Sequence, residues 1–138
     1  MPWPIFYSRQ KALFMARTAW VTGILLCILA AIGYGLAPAP RSPTALIPMF
    51  VGLPILISGV LAQNPARRKT AMHIAAGIGM LGLLASAGRA IPTWLKLVRG
   101  EEVNLLALSM VTAMAVVCAG FVVRCVQSFI AARRARNA

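Results

Sequence analysis

The chain is 138 residues long, 60% hydrophobic and only 12% charged, with 14 Lys and Arg against 2 Asp and Glu. Soluble domains carry roughly 45–50% apolar and about 25% charged residues, so a soluble core of this size cannot absorb so much apolar surface. The net charge of +12 would suit nucleic acid in a soluble protein, but here the basic residues fall in short clusters between apolar runs. No aromatic and basic platform stands outside those runs, which sets nucleic-acid binding aside.

Four uncharged runs, over residues 18–37, 44–63, 70–88 and 103–123, each approach the ~20 residues that carry a helix across 30 Å of hydrocarbon. They are continuous and do not alternate with period two, so helices are expected and barrel strands are not. The expected fold is an all-α membrane protein, a single integral domain over residues 1–138. Its architecture reads as a four-transmembrane-helix bundle with both ends in the cytoplasm.

Ahead of the first run, Trp3, Phe6, Tyr7, Leu13 and Phe14 interleave with Arg9, Lys11 and Arg17 in the manner of an interfacial anchor. A basic start, an apolar run and Ala37 near Ala39 also describe a cleaved signal sequence, which would leave three spans. The run exceeds a signal core of roughly 7–15 residues and the neighbouring prolines suit cleavage poorly, so it is read as a retained span. Within it, Gly23, Cys27, Ala31 and Gly35 recur every four residues, a stripe that lets helix backbones approach closely.

Pro38, Pro40 and Pro43 close the first span in a stretch suited only to a hairpin turn, so spans one and two run antiparallel. In span two, Pro48 and Pro54 each remove a backbone donor and are expected to kink or break the helix. Asn64 followed by Pro65 reads as a helix start, with Asn capping free amides and Pro at the first helical position. Span three repeats the small-residue pattern at Ala71, Ala75 and Gly79, then Gly82, Ser86 and Ala90. These stripes are read as packing inside one bundle in preference to a dimer face.

Pro92 is expected to end or kink the third helix. Beyond it, residues 93–99 set Trp94, Leu95, Leu97 and Val98 against Lys96 and Arg99, a short interfacial segment between helices three and four. Gly100 stops that segment, and Glu101, Glu102 and Asn104 lead into the positive end of the fourth helix.

Orientation follows from the basic residues. With the N terminus inside, Arg9, Lys11, Arg17, Arg67, Arg68, Lys69, Arg124, Arg133, Arg134 and Arg136 lie on the cytoplasmic side. Arg41, Arg89, Lys96 and Arg99 lie outside with both acids. That asymmetry is the positive-inside pattern expected of an inner-membrane protein with both ends in the cytoplasm. Arg67, Arg68, Lys69, Arg133, Arg134 and Arg136 are the residues expected to meet anionic headgroups or an acidic partner.

No Asp or Glu falls in any span, so carboxylate-coupled transport has no carrier there. His73 is the sole histidine and has no acid in its half of the membrane, so a nucleophile, base and orienter cannot be assembled around it. Cys118 and Cys125 are seven residues apart on one helix and Cys27 lies in another, a set that forms neither a disulfide nor a zinc site. Arg89 could pair with Glu101 or Glu102 as a staple. No catalytic residue, cofactor site or metal site is expected.

The segments SPTALIPMFVGLPILISG from Ser42 to Gly59, NPARRKTAMHIAAGIGMLGLLASAGR, and QSFIAARRAR near the C terminus resemble uncharacterised small four-span bacterial inner-membrane proteins. The resemblance covers about the last two thirds of the chain and implies no activity, cofactor or catalytic residue. The expected role is a non-enzymatic structural, accessory or regulatory bundle, as a homo-oligomer or a subunit of a larger membrane complex. The alternative is a small oligomeric channel or transporter built around the proline-broken second span.

Overall fold

The computed structural model describes residues 3–40 and 43–137. They form four α-helices, α1 (Trp3–Leu36), α2 (Ile47–Leu61), α3 (Arg68–Val98) and α4 (Leu105–Asn137), with a short 3-10 turn at Pro43–Leu46. There is no strand among the described residues. Three helices are long and apolar enough to cross a membrane: α1 from Arg9 onward, α3 and α4. At 15 residues, α2 is apolar but below that length. Arg41 lies outside the described residues, as do the side chains of Trp3, Phe6 and Tyr7.

Each helix packs on its chain neighbours, and α4 returns to α1, while α1 and α3 meet only marginally. The closest approach is between α1 and α2. A Cβ added at Gly23 would lie 2.7 Å from the backbone of Leu56. One added at Gly59 would lie 2.7 Å from the amide nitrogen of Trp20, and one at Gly52 would lie 3.0 Å from the carbonyl oxygen of Gly23. Three glycines thus bring two helix backbones together at a separation that no other residue permits, and successive contacts run in opposite directions along the two helices. Such proximity maximises dispersion contacts where the surroundings are themselves apolar.

The buried face of α1 is Ala16, Ala19, Gly23, Leu26, Ala30 and Gly33, in which steps of three and four alternate. Of the stripe expected from the sequence, Gly23 is buried and Cys27 half-buried, but Ala31 and Gly35 are exposed, with no atom within 4 Å of a Cβ at Gly35. The reason is rotational. Each step of four residues overshoots a full turn by about 40°, so a strict four-residue stripe has walked about 120° round the helix by Gly35.

In α3, Ala71, Ala75, Gly79, Gly82, Ser86 and Ala90 are all buried, and here steps of three and four are mixed. Gly79 faces the ring of Phe121, and Gly82 lies between Val51 of α2 and Cys118 of α4. Phe121, Cys118 and Cys125 are among the most deeply buried side chains, together with Leu26 of α1 and Ile55 of α2. A large residue on one helix is thus received by a glycine on the next. The Trp94 indole NH also donates to Thr112 Oγ1 at 3.1 Å, tying α3 to α4 near one end.

Several helix ends differ from expectation. Pro48 lies in the first turn of α2, where a missing amide costs little, so only Pro54 stands inside the helix and α2 runs through it without a break. The third helix likewise continues through Pro92 to Val98, which makes residues 93–98 its final turns and removes the separate interfacial segment. Proline forfeits one intrahelical bond there, while the next residue, Thr93, adds one from Oγ1 to the Arg89 carbonyl at 2.8 Å. Gly100 closes the helix at φ +80°, with Gly100 N bonded to Leu97 O and Glu101 N to Lys96 O, the paired bonds of a Schellman stop.

Asn64 does accept an amide, that of Ala66, but the helix proper starts at Arg68, so Asn64 caps a preceding turn. α1 and α4 extend well past the apolar runs read from the sequence. The polar ends continue as helix, and Arg134 and Arg136 occupy the last turn of α4, where positive charge complements the helix dipole.

The glycine contacts yield a stability test. Gly23→Ala and Gly59→Ala should each lower stability by about 1–3 kcal/mol through overpacking, outweighing the gain in helix propensity. Gly35→Ala should leave it unchanged or slightly raised. Thermal unfolding of the detergent-solubilised chain, followed by circular dichroism, reads all three.

Candidate functional site

A cavity of about 370 Å³ opens at the end of the helix assembly where α1 finishes and α4 begins. Its walls come from every part of the fold: Leu29 and Gly33 of α1, Pro38 and Pro40 of the first turn, and Ala45, Ile47 and Pro48 around the start of α2. Ala85, Ser86 and Arg89 of α3 face Asn104, Ala107, Met110 and Met114 of α4 across it. The space exists because residues at this depth are small. A Cβ added at Gly33 would meet only the flexible Met110 side chain, at 3.4 Å, and alanines and Ser86 stand where larger residues fill the opposite half.

The cavity is largely apolar; Ser86 is buried within it, and Arg89 and Asn104 are exposed at its rim. The Ser86 hydroxyl donates to the Gly82 carbonyl of its own helix. Asn104 Oδ1 accepts the Ala107 amide at 3.2 Å and so caps α4, leaving its amide nitrogen as a donor. Among the described residues the Arg89 guanidinium has no hydrogen bond or ion pair, and the expected staple to Glu101 or Glu102 is not made. Both acids are exposed and neither lines the cavity. The side-chain groups still available there, Arg89 and the Asn104 amide, are therefore donors, and they sit beside the positive end of α4, across the cavity from the carbonyl end of α1.

The opposite end carries the basic cluster. Arg67 and Lys69 are exposed, but Arg68 is half-buried and its Nε donates to the Ala62 carbonyl at 2.9 Å, at the C-terminal end of α2. A charge unfavourable at the start of its own helix thus neutralises the negative end of the previous one. Arg133, Arg134 and Arg136 are exposed along the final turns of α4. The Arg124 guanidinium lies 5.9 Å from the centroid of the Phe14 ring, a cation–π contact between α4 and α1.

His73 is exposed, stacks on Phe129 at 4.8 Å, and has Nδ1 2.8 Å from the Lys69 carbonyl. Cys27, Cys118 and Cys125 are free thiols. Among the described residues no group of three or more His, Cys, Asp or Glu is placed to hold a metal.

Sequence reasoning named Pro48, Ser86, Arg89 and Asn104 for other reasons and passed over Gly33 and Met110. It also passed over Gly52 and Gly59 as packing positions, although their seven-residue spacing returns to the same helix face. The cavity itself had no such signal, since its residues share a depth only once the helices are paired.

Removing the inter-helix cap gives a second test. Arg68→Ala should cost about 1–2 kcal/mol of stability, because a hydrogen bond to a charged group is lost and the α2 terminus exposed. Lys69→Ala should cost a few tenths at most, both read from thermal unfolding in detergent with amide exchange at residues 58–62 as the local report.

No protein-family model matches the chain, and no curated protein or solved structure matches it significantly, so the site stands on its own geometry.

Proposed function

We propose that the chain is a four-span, N-in/C-in helical bundle of a bacterial inner membrane, serving as a non-enzymatic structural, accessory or regulatory component of a membrane assembly. The observation that carries this reading is the glycine-mediated contact of α2 along α1. A helix pressed against the middle of an apolar spanning helix occupies the same depth, and the outward face of α2 suits lipid: Phe50 is 74% exposed and Ile57 57%. Its 15 residues reach about 22 Å, and the 3-10 turn ahead of it adds about 8 Å, which together match the ~30 Å of hydrocarbon.

Charge supports the same topology. If α2 did not cross, the clusters at Arg67 to Lys69 and Arg133 to Arg136 would lie outside with the N terminus in, against the positive-inside bias. On the proposed inner face they meet anionic headgroups. Exposed apolar side chains on α3 and α4, such as Leu81 at 68% and Val116 at 65%, offer surface for lipid or for neighbouring subunits, including further copies of this chain. The unbroken course of α2 through Pro54 favours such a bundle over a pore built round a broken span.

Reporter fusions decide the topology. Fusions after Gln63 and Arg136 should report the cytoplasm, and those after Pro40 and Gly100 the outside; a C terminus reporting outside would establish three spans. Affinity purification from gently solubilised membranes should return partners in fixed proportion or a homo-oligomer. An isolated monomer whose deletion leaves every membrane complex unchanged would refute the assembly role.

A further inference from the structure

We infer that the cavity between the end of α1 and the start of α4 is a binding site for an amphipathic anion with a single alkyl chain. The inference rests on the cavity's own geometry and not on the number of membrane spans. At roughly 30 Å³ per heavy atom, its volume of about 370 Å³ admits on the order of a dozen heavy atoms. That lies at the small end of the ~300–1,000 Å³ typical of ligand pockets.

The walls distribute polarity along one axis. Leu29 and Met114 line the inner part with carbon and sulfur, and Gly33 and Ala107 add small residues to the wall, with the Met110 side chain lying against Gly33. The Met110 thioether beside Gly33 is unbranched and adjusts to the shape of what lies against it. At the rim the chemistry changes to unspent donors. Arg89 and Asn104 are both exposed, the Arg89 guanidinium and the Asn104 side-chain nitrogen make no hydrogen bond among the described residues, and the first turn of α4 contributes the positive end of a helix. The Arg89 guanidinium carries the full charge at the site, so with the Asn104 amide and the first turn of α4 beside it and no acid among the lining residues it outweighs the partial negative charge where α1 ends, and selects a carboxylate or phosphate over a neutral or cationic head. The Ser86 hydroxyl bonds to its own helix and adds no competing donor at depth.

Position strengthens the assignment. The rim lies beside the proline turn at 37–40 and the polar turn at 99–104, and the apolar part of the cavity extends toward the buried centre. An anionic head at the rim and an alkyl chain inside therefore preserve the orientation the same molecule has in a leaflet. The shared chemistry, an anionic head on one chain, is found both in free fatty acids and in one chain of an anionic phospholipid.

The test uses the full chain in nanodiscs of phosphatidylcholine at about pH 8, with decanoate and decanol as probes, each corrected for partition into empty discs. Decanoate should bind roughly tenfold more tightly than decanol, the difference expected for charge-assisted hydrogen bonds at a partly exposed site. Arg89→Gln should reduce decanoate to the level of decanol and leave decanol unchanged, and Arg89→Lys should retain part of the preference. Ala107→Phe, which fills the cavity, should weaken both probes. Unchanged helicity and thermal midpoint in Arg89→Gln confirm folding, so that arm decides even where Ala107→Phe does not fold.

Equal binding of the two probes by the unaltered chain, or an anion preference that survives Arg89→Gln, would overturn the assignment. Replacing a tenth of the lipid by phosphatidylglycerol identifies the source. Displacement of decanoate makes a bilayer lipid the occupant and retained binding a free amphiphile, and either result upholds the site. Because these readouts do not depend on topology, failure here is distinguishable from failure of the four-span reading.

Discussion

Everything in this molecule hangs on the backbone contact between α1 and α2. Gly23, Gly52 and Gly59 remove the side chains that would hold the two helices apart, and the hypothetical Cβ distances of 2.7 to 3.0 Å leave no room for any other residue without a shift. In an apolar environment the helices gain nothing from hiding hydrocarbon from water. Shape and dispersion must supply the affinity, and both grow steeply as backbones approach. The short second helix makes the most extensive helix–helix contact of the fold with α1, and this close seating fixes the face that it presents to α3.

From that pair the rest follows by size matching. Gly82 receives Val51 from α2 and Cys118 from α4, so the third helix is positioned against both at one point, and Gly79 receives Phe121 one turn away. Where small residues face large ones the interior is filled. Toward the α1–α2 turn, Gly33, Ala85, Ser86 and Ala107 leave more space than the flexible Met110 side chain fills, and the same economy of side chains leaves a cavity. Tight packing and an open site are thus two outcomes of one composition, decided by whether the opposing helix supplies a bulky partner.

The basic residues divide in a similar way. Arg68 reaches back to the Ala62 carbonyl and Arg124 covers the Phe14 ring, so two of them act within the fold. Arg133, Arg134 and Arg136 project from the end of α4, where they suit both the helix dipole and the headgroup region of the proposed membrane placement. Arg89 alone stands at the mouth of the cavity without a partner among the described residues. A cation in such a place, close to apolar walls and beside a helix N-terminus, suits the anionic head of the proposed ligand.

Helical character, the apolar segments, the Gly100 stop and the small-residue content of α3 were legible in the chain because each depends on local chemistry: hydropathy, φ preference and side-chain volume. Element ends were less so. Pro48 and Pro92 read as breakers but sit, respectively, in a first turn and within a helix that continues past it, since surrounding contacts outweigh one missing amide. The four-residue stripe at Gly23, Cys27, Ala31 and Gly35 was half right for a geometric reason, the drift of about 40° per step. Which face of each helix is buried, which carbonyl Arg68 caps, and where small residues coincide to leave a cavity depend on pairing between segments far apart in sequence. Those relations have no local signature, and only the tertiary arrangement could decide them.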